Sequence, residues 1–263
     1  MVDIQSKTFE TGTGRIAYRE AGSGGVPLVC LHGLGGGARS WTRQLEQMSG
    51  DRRVIAWDCP GYGGSADHVI PNPAPADYAD ALSELLRGIG VAGPIDLIGH
   101  SMGGVIAPQL EARHPGSVRR MVLSATRIGF RDWGSYEQRL QEQIDMTPEE
   151  FGQTRVQNMC APGASAEAKA LVASIASEIR TSGYRAAIHV LSVSDNRAEV
   201  ASMGIPVLVL AGAEDKIAPE EATAALAEAI PGARREIIGQ AAHAAYLEQP
   251  EAYNARLRAF LDS

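Results

Sequence analysis

The sequence predicts an α/β fold in which a mostly parallel sheet is covered by helices on both faces. Short runs rich in aliphatic residues alternate with stretches of helical periodicity, which is typical of α/β proteins. Several runs, such as Val26–Leu31 and Val207–Ala211, are almost continuously apolar, as in strands buried on both faces. A third observation is that residues 128–203 carry helical signals without a convincing strand. We therefore expect one long helical insertion in the sheet.

The predicted strands are short, apolar and bounded by glycine, proline or polar residues. In chain order they are Arg15–Glu20, Val26–Leu31, Arg53–Asp58, Ile95–His100, Arg120–Ala125, Pro206–Ala211 and Arg234–Ile238.

Helices are predicted between these strands. Ala76–Ile89 places its apolar residues at the spacing of one helix face. Pro219 and Pro250 each open a later helix, because proline is favoured in the first turn.

The insertion contains three helical signals. Thr147–Glu150 has the pattern of a capping box with proline at the first helical position. Ser165 and Gly183 stand at the start of two further helices. A connection this long exceeds an ordinary crossover, so we expect it to act as a lid. The predicted division is a core of residues 1–127 and 204–263 and a lid of residues 128–203.

Composition limits the classes of function. The formal net charge of −7 argues against nucleic-acid binding, and no stretch approaches the ~18 apolar residues of a membrane span. The three cysteines form no Cys-x-x-Cys pair, which argues against a metal site or a disulfide framework. The first residues lack the features of a secretory signal. We expect a cytoplasmic protein that acts on a small molecule; the oligomeric state is not predicted.

The strongest motif is Gly99-His100-Ser101-Met102-Gly103. It follows a predicted strand and precedes a helical stretch, which is the context of a serine nucleophile on a sharp turn. Glycines on both sides allow the tight backbone, and the Met102 N–H falls at a helix N-terminus, where it can stabilise an oxyanion. We predict Ser101 as the nucleophile.

A glycine-rich loop follows the strand Val26–Leu31. In His32-Gly33-Leu34-Gly35-Gly36-Gly37, the Leu34 N–H is the predicted second oxyanion donor. The same loop fits a dinucleotide-binding pattern, with Asp58 where a ribose-binding acid would stand. That alternative leaves the serine turn without a role. We expect His32 and His100 to form hydrogen bonds within their loops.

With the serine in a G-x-S-x-G turn, the acid and then the base are expected later in the chain, in the order Ser, Asp, His. Gly212-Ala213-Glu214-Asp215 comes directly after a predicted strand, and Asp215 is favoured over Glu214 as the acid. His243, flanked by alanines after the strand Arg234–Ile238, is the predicted base. This chemistry requires neither a cofactor nor a metal.

Taken in order, these motifs resemble the α/β-hydrolase superfamily over essentially the whole chain. The resemblance implies an α/β-hydrolase fold with an inserted helical lid. A narrower likeness to the 3-oxoadipate enol-lactonase group is carried by Ala125–Gly129, Gly183–Ala187 and Ala241–His243 with Glu248–Pro250. His100 departs from that group, in which leucine is common at this position.

The expected function is hydrolysis of a small carboxylic ester or lactone through an acyl-enzyme, and the enol-lactonase likeness implies a carboxylate on the substrate. The candidate substrate-binding residues are Arg127, Arg131, Trp133, Tyr184, Arg185 and His189, and an arginine would suit an anionic group. Amide or C–C bond hydrolysis remains open on the same triad. So do two other classes, an NAD(P)-dependent oxidoreductase and a non-catalytic ligand-binding protein.

Overall fold

The structure is a computed structural model that describes residues 2–131 and 134–263. Within this part of the chain, eight strands form one sheet in the order β1-β2-β4-β3-β5-β6-β7-β8. The strands are β1 (Gln5–Thr11), β2 (Gly14–Ala21), β3 (Leu28–Leu31), β4 (Val54–Trp57), β5 (Ile95–His100), β6 (Val118–Ser124), β7 (Val207–Gly212) and β8 (Arg234–Ile238).

The sheet is mostly parallel, as predicted. Strands β4, β3, β5, β6, β7 and β8 pair in parallel, whereas β1 with β2 and β2 with β4 pair antiparallel. The carboxyl ends of the parallel strands therefore lie along one edge of the sheet, where sites form in α/β proteins.

Strand β1 was not predicted from the sequence. Its residues are mostly polar, and most of its side chains are exposed because β1 forms the outer arm of a hairpin with β2. It therefore lacks the continuous apolar run that marked the inner strands. Antiparallel edge strands of this kind can face water on one side.

Helices cover both faces of the sheet and enclose two apolar clusters. Successive residues of β5 point to opposite faces, so that Leu97 contributes to one cluster and Ile98 to the other. The helices are α1 (Thr42–Met48), α2 (Pro75–Gly88), α3 (Met102–Arg113), α4 (Tyr136–Asp145), α5 (Pro148–Met159), α6 (Ala166–Ala176), α7 (Thr181–Val193), α8 (Arg197–Ala201), α9 (Glu220–Ala229), α10 (Ala245–Glu248) and α11 (Pro250–Leu261), with a short 3-10 helix at Ala38–Trp41.

Helices α4 to α8 lie between β6 and β7 in the chain. The capping box at the start of α5 forms as predicted: the Glu150 N–H donates to Thr147 Oγ1, and the Thr147 N–H donates to Glu150 Oε2 at 2.8 Å. Helices α5 and α6 pack closely, since a Cβ at Gly152 would stand 2.6 Å from the Ala173 carbonyl oxygen. Across residues 2–131 and 134–263, none of the helices has the length and apolar character that a bilayer crossing requires.

Candidate active site

Ser101 occupies a strained turn between β5 and α3. Its backbone adopts φ 52° and ψ −112°, a region that residues with a side chain rarely adopt. The flanking glycines are needed for close packing: a Cβ at Gly99 would lie 2.4 Å from the Gly103 carbonyl oxygen, and one at Gly103 would lie 2.5 Å from the Leu31 carbonyl oxygen. The turn therefore depends on the residue types that the motif predicted.

His243 and Asp215 are brought together at the same edge of the sheet. His243 Nδ1 lies 2.9 Å from Asp215 Oδ2, and both side chains are buried. The other carboxylate oxygen of Asp215 accepts the N–H groups of Ile217 and Ala218 at 2.8 and 3.0 Å. Glu214, the competing acid, is exposed. The Asp215 carboxylate is thus fixed by the turn after β7 and can orient the imidazole.

The loop that carries His243 is tied to the turn after β7. The Glu214 N–H donates to the Ala241 carbonyl at 2.9 Å, and a Cβ at Gly212 would lie 2.0 Å from the Ala242 carbonyl oxygen. The absence of a side chain at Gly212 lets the two loops touch.

Glu248 fixes the other side of this loop. Its carboxylate accepts the N–H of Ala242 at 3.0 Å and the N–H of Ala161 at 2.7 Å. Burial raises the pKa of Glu248. Because Ala161 follows α5, Glu248 joins the histidine loop to the helical insertion.

The glycine-rich loop lies against Ser101. A Cβ at Gly33 would be 2.9 Å from Ser101 Cβ, so the loop must pass the serine without a side chain. Leu34 and Met102, the predicted oxyanion donors, are both buried. Met102 is the first residue of α3, so its N–H lies at the positive end of the helix dipole.

His32 and His100 have different environments. His32 Nε2 accepts the Cys59 N–H at 3.0 Å, and His32 Nδ1 donates to the Gly33 carbonyl at 2.9 Å, so His32 bonds within its loops as expected. The expectation for His100 does not hold within its own loop: among the described residues its ring nitrogens have no well-aligned hydrogen bond, and the backbone group that acts on the ring is that of Ser124. Its ring centroid instead lies 4.8 Å from that of His243. Burial, with the nearby His243, holds the pKa of His100 well below its usual value.

Asp58, the acid of the dinucleotide alternative, serves the loops around it. One carboxylate oxygen accepts the Ala38 N–H at 2.7 Å and the other accepts the Gly64 N–H at 3.2 Å. Both oxygens therefore have partners in the protein itself.

The predicted substrate-binding residues occupy different environments. Tyr184 is buried on α7, with its ring 5.4 Å from that of Phe151 in an edge-on arrangement. Arg127 is partly exposed, and its guanidinium carbon lies 5.6 Å from the centre of the Phe130 ring. His189 is half-buried on α7. Trp133 falls outside the described residues.

Two further candidates lie at the surface. Arg185 is exposed, and Arg131 is exposed with Nη1 3.5 Å from Asp195 Oδ2. Their positions do not support the expectation that they face the substrate.

Sequence reasoning missed Arg155. It is buried on α5, and its Nη2 donates to the carbonyl of Leu34 at 3.2 Å. The available signal was its spacing, because Phe151, Arg155 and Met159 follow one another at intervals of four residues and so share one helix face. An arginine in the middle of a buried stripe is unusual.

Residues 26–250 match the family described as alpha/beta hydrolase fold, which is most of the chain. The chain belongs to the α/β-hydrolase family. This α/β hydrolase is 28% identical to an (E)-2-((N-methylformamido)methylene)succinate hydrolase of Acinetobacter baylyi, and the similarity covers 98% of each chain. It is 32% identical to a pimeloyl-(acyl-carrier protein) methyl ester esterase of Chromobacterium violaceum, over 91% of this chain and 95% of the relative.

Solved structures agree with this assignment. A thermophilic esterase from Thermogutta terrifontis, with malate bound, superposes with a TM-score of 0.88 at 25% identity, over 98% of each chain. An enol-lactonase from Burkholderia xenovorans has the same fold, with a TM-score of 0.86 at 22% identity, over 98% of this chain and all of the other. The α/β-hydrolase fold predicted from the motifs is confirmed, and the protein is a hydrolase of this family.

Proposed function

We propose that this protein is a serine hydrolase that cleaves a small carboxylic ester or lactone through an acyl-enzyme on Ser101. The observation that carries the proposal is the hydrogen-bonded pair of His243 and Asp215 at the same edge of the sheet as the strained Ser101 turn. Nucleophile, base and orienting acid then come from the ends of β5, β8 and β7. This placement supports the proposal of a catalytic triad.

The proposed reaction begins when Ser101 Oγ attacks the carbonyl carbon while His243 Nε2 accepts the hydroxyl proton. Asp215 accepts the Nδ1–H of the same ring, which keeps Nε2 free to act as a base. The N–H groups of Leu34 and Met102 hold the negative oxygen of the tetrahedral intermediate, where one donor typically contributes about 3 kcal/mol. His243 returns the proton to the leaving oxygen, and the C–O bond breaks. Water then attacks the acyl-enzyme with the same base and releases the acid.

We propose that helices of residues 128–203 form the lid that selects the substrate. The Ala244 N–H donates to the Met159 carbonyl at 3.0 Å, so the end of α5 is attached beside the proposed base. Tyr184, Arg127 and His189 are the proposed substrate contacts from or next to this lid, together with Trp133. A carboxylate-bearing substrate is supported by the malate bound to the similar Thermogutta terrifontis esterase and by the succinate named for the Acinetobacter baylyi relative. The proposed location is the cytoplasm.

The test is a panel of short esters, lactones, amides and vinylogous diketones assayed with wild type and with Ser101→Ala. The proposal expects ester or lactone turnover that the variant loses, because the substitution removes only the nucleophilic oxygen. Circular dichroism should show an unchanged fold. Retention of more than a small fraction of wild-type kcat would show that Ser101 is not the nucleophile. Turnover of the diketones alone would favour C–C bond hydrolysis.

A further inference from the structure

Arg155 is a buried cation that has no counterion in the part of the chain that the structure describes. It is 7% exposed, and across residues 2–131 and 134–263 no carboxylate lies within ion-pair distance of its guanidinium. The ionisable side chains that act most strongly on it are Tyr184, Tyr62 and Tyr246, whose pKa values are all raised by burial. These phenols are therefore neutral and supply no negative charge.

The guanidinium keeps unused hydrogen-bonding capacity. Nη2 donates to the Leu34 carbonyl at 3.2 Å, while the buried Nε has no acceptor within the described ranges. Guanidinium groups carry five N–H donors in a planar fork that matches a carboxylate. Burial lowers the pKa of Arg155, but arginine remains protonated in proteins near neutral pH.

The backbone of Gly35 passes close to the Arg155 guanidinium. Gly35 has φ 74°, and a Cβ there would lie 3.3 Å from Arg155 Nε, so a larger residue would crowd the fork. The neighbouring residue, Leu34, is the one whose N–H we propose as an oxyanion donor. The Arg155 guanidinium therefore contacts the same residue whose N–H is the proposed oxyanion donor.

A buried charge is costly unless an opposite charge accompanies it. We propose that Arg155 is the anion-binding group of the substrate site and that the substrate is a short ester or lactone whose acyl part carries a carboxylate. This inference rests on the proposed serine-hydrolase function. A substrate carboxylate would take the free side of the fork and supply the missing counterion, while the reacting carbonyl lies at Leu34 and Ser101.

The competing account is that Arg155 only holds the Leu34 carbonyl and so shapes the oxyanion loop. The two accounts predict different turnover for matched neutral and anionic substrates. A structural role would lower the turnover of neutral and anionic esters equally, whereas an anion-binding role would lower the turnover of the anionic ester alone.

The kinetic test compares monomethyl succinate, glutarate and adipate with methyl esters of unbranched monocarboxylic acids of equal chain length. Wild type should prefer at least one monoanion in kcat/KM by roughly tenfold to a hundredfold, as expected for a charged hydrogen bond. Arg155→Met, which keeps an unbranched apolar side chain, should remove this preference through KM. Arg155→Lys should restore part of it. Arg197→Met removes one exposed charge on α8 and should leave the preference unchanged. If the wild-type enzyme favours the neutral esters, that result alone overturns the proposal, and no variant is needed.

A binding measurement separates this inference from the proposed chemistry. Glutarate should bind to Ser101→Ala in calorimetry and should bind at least about tenfold more weakly to Ser101→Ala carrying Arg155→Met. Equal binding to both proteins would overturn the role of Arg155 even if Ser101 is the nucleophile. The converse result is glutarate binding that depends on Arg155 while the Ser101→Ala variant keeps its activity. That result would support the anion site and overturn the proposed nucleophile.

Discussion

His243 Nδ1 lies 2.9 Å from Asp215 Oδ2, and the carboxylate is held in place by two further N–H groups from its own turn. In the proposed triad, this contact leaves Nε2 as the imidazole nitrogen that acts as the base. An Asp that orients a histidine in this way stabilises the protonated ring that forms as the nucleophile attacks.

Asp215→Asn should lower kcat by roughly 10⁴-fold, because the amide favours the wrong histidine tautomer. Glu214→Gln, at the exposed neighbouring position, is the matched control and should change kcat little. Steady-state kinetics on the best ester of the panel measures both. A larger loss in Glu214→Gln than in Asp215→Asn would mean that the acid has been assigned to the wrong residue.

His100 should make the stability of the protein depend on pH. Its folded-state pKa lies well below its ordinary value of 6.5, so the unfolded chain binds the additional proton first as the pH falls. The stability that accompanies the neutral ring is complete above about pH 6.5 and is lost below it, at up to about 1.4 kcal/mol per pH unit.

His100→Leu removes this titration while keeping a buried apolar side chain. The free energy of unfolding, measured by urea denaturation at about pH 7.5 and about pH 5.0, should fall less between the two conditions in the variant than in wild type. His32, which is also buried, contributes equally to both proteins. An identical pH dependence in both would show that His100 is not neutral and buried in the way described.

The approach of the proposed lid to the rest of the protein can be tested at a pair of glycines. A Cβ at Gly183, near the start of α7, would lie 2.1 Å from the Gly61 carbonyl oxygen. Gly183→Ala should therefore displace this end of α7 and cost about 1–3 kcal/mol, with a lower kcat/KM if the lid shapes the site.

Gly163→Ala is the matched control, because a Cβ there has no atom within 4 Å. Thermal unfolding and ester kinetics on both variants distinguish the outcomes. A stability loss without any change in kcat/KM would mean that this contact does not bear on catalysis. No loss of stability would contradict the close approach itself.

Much of the fold could be predicted because the inner strands are buried on both faces and are therefore continuously apolar. Strand β5 begins and ends where the sequence predicts it, at Ile95 and His100. The edge strand β1 was not predicted because it is an exposed hairpin arm with mostly polar residues. A search for apolar runs does not find such a strand.

The proposed triad could be named because each member follows a strand and the α/β-hydrolase topology, which the motifs resemble, fixes their order along the chain. Arg155 could not be recognised with equal ease. A single arginine in a helical segment ordinarily lies in solvent, and only the folded chain shows that α5 turns it toward Leu34. The position of the His100 ring beside His243 was missed for the same reason, since contacts between loops are a property of the tertiary structure.

The measurement that tests the central claim most directly is intact-protein mass spectrometry of the enzyme quenched in acid during turnover of p-nitrophenyl acetate. An acyl-enzyme mechanism predicts a burst of p-nitrophenol, a mass increase of one acetyl group, and assignment of that group to the peptide that contains Ser101. Ser101→Ala should show neither the burst nor the adduct. An acetyl group on a different residue would contradict the account. So would steady turnover without any adduct, combined with full activity of the Ser101→Ala variant.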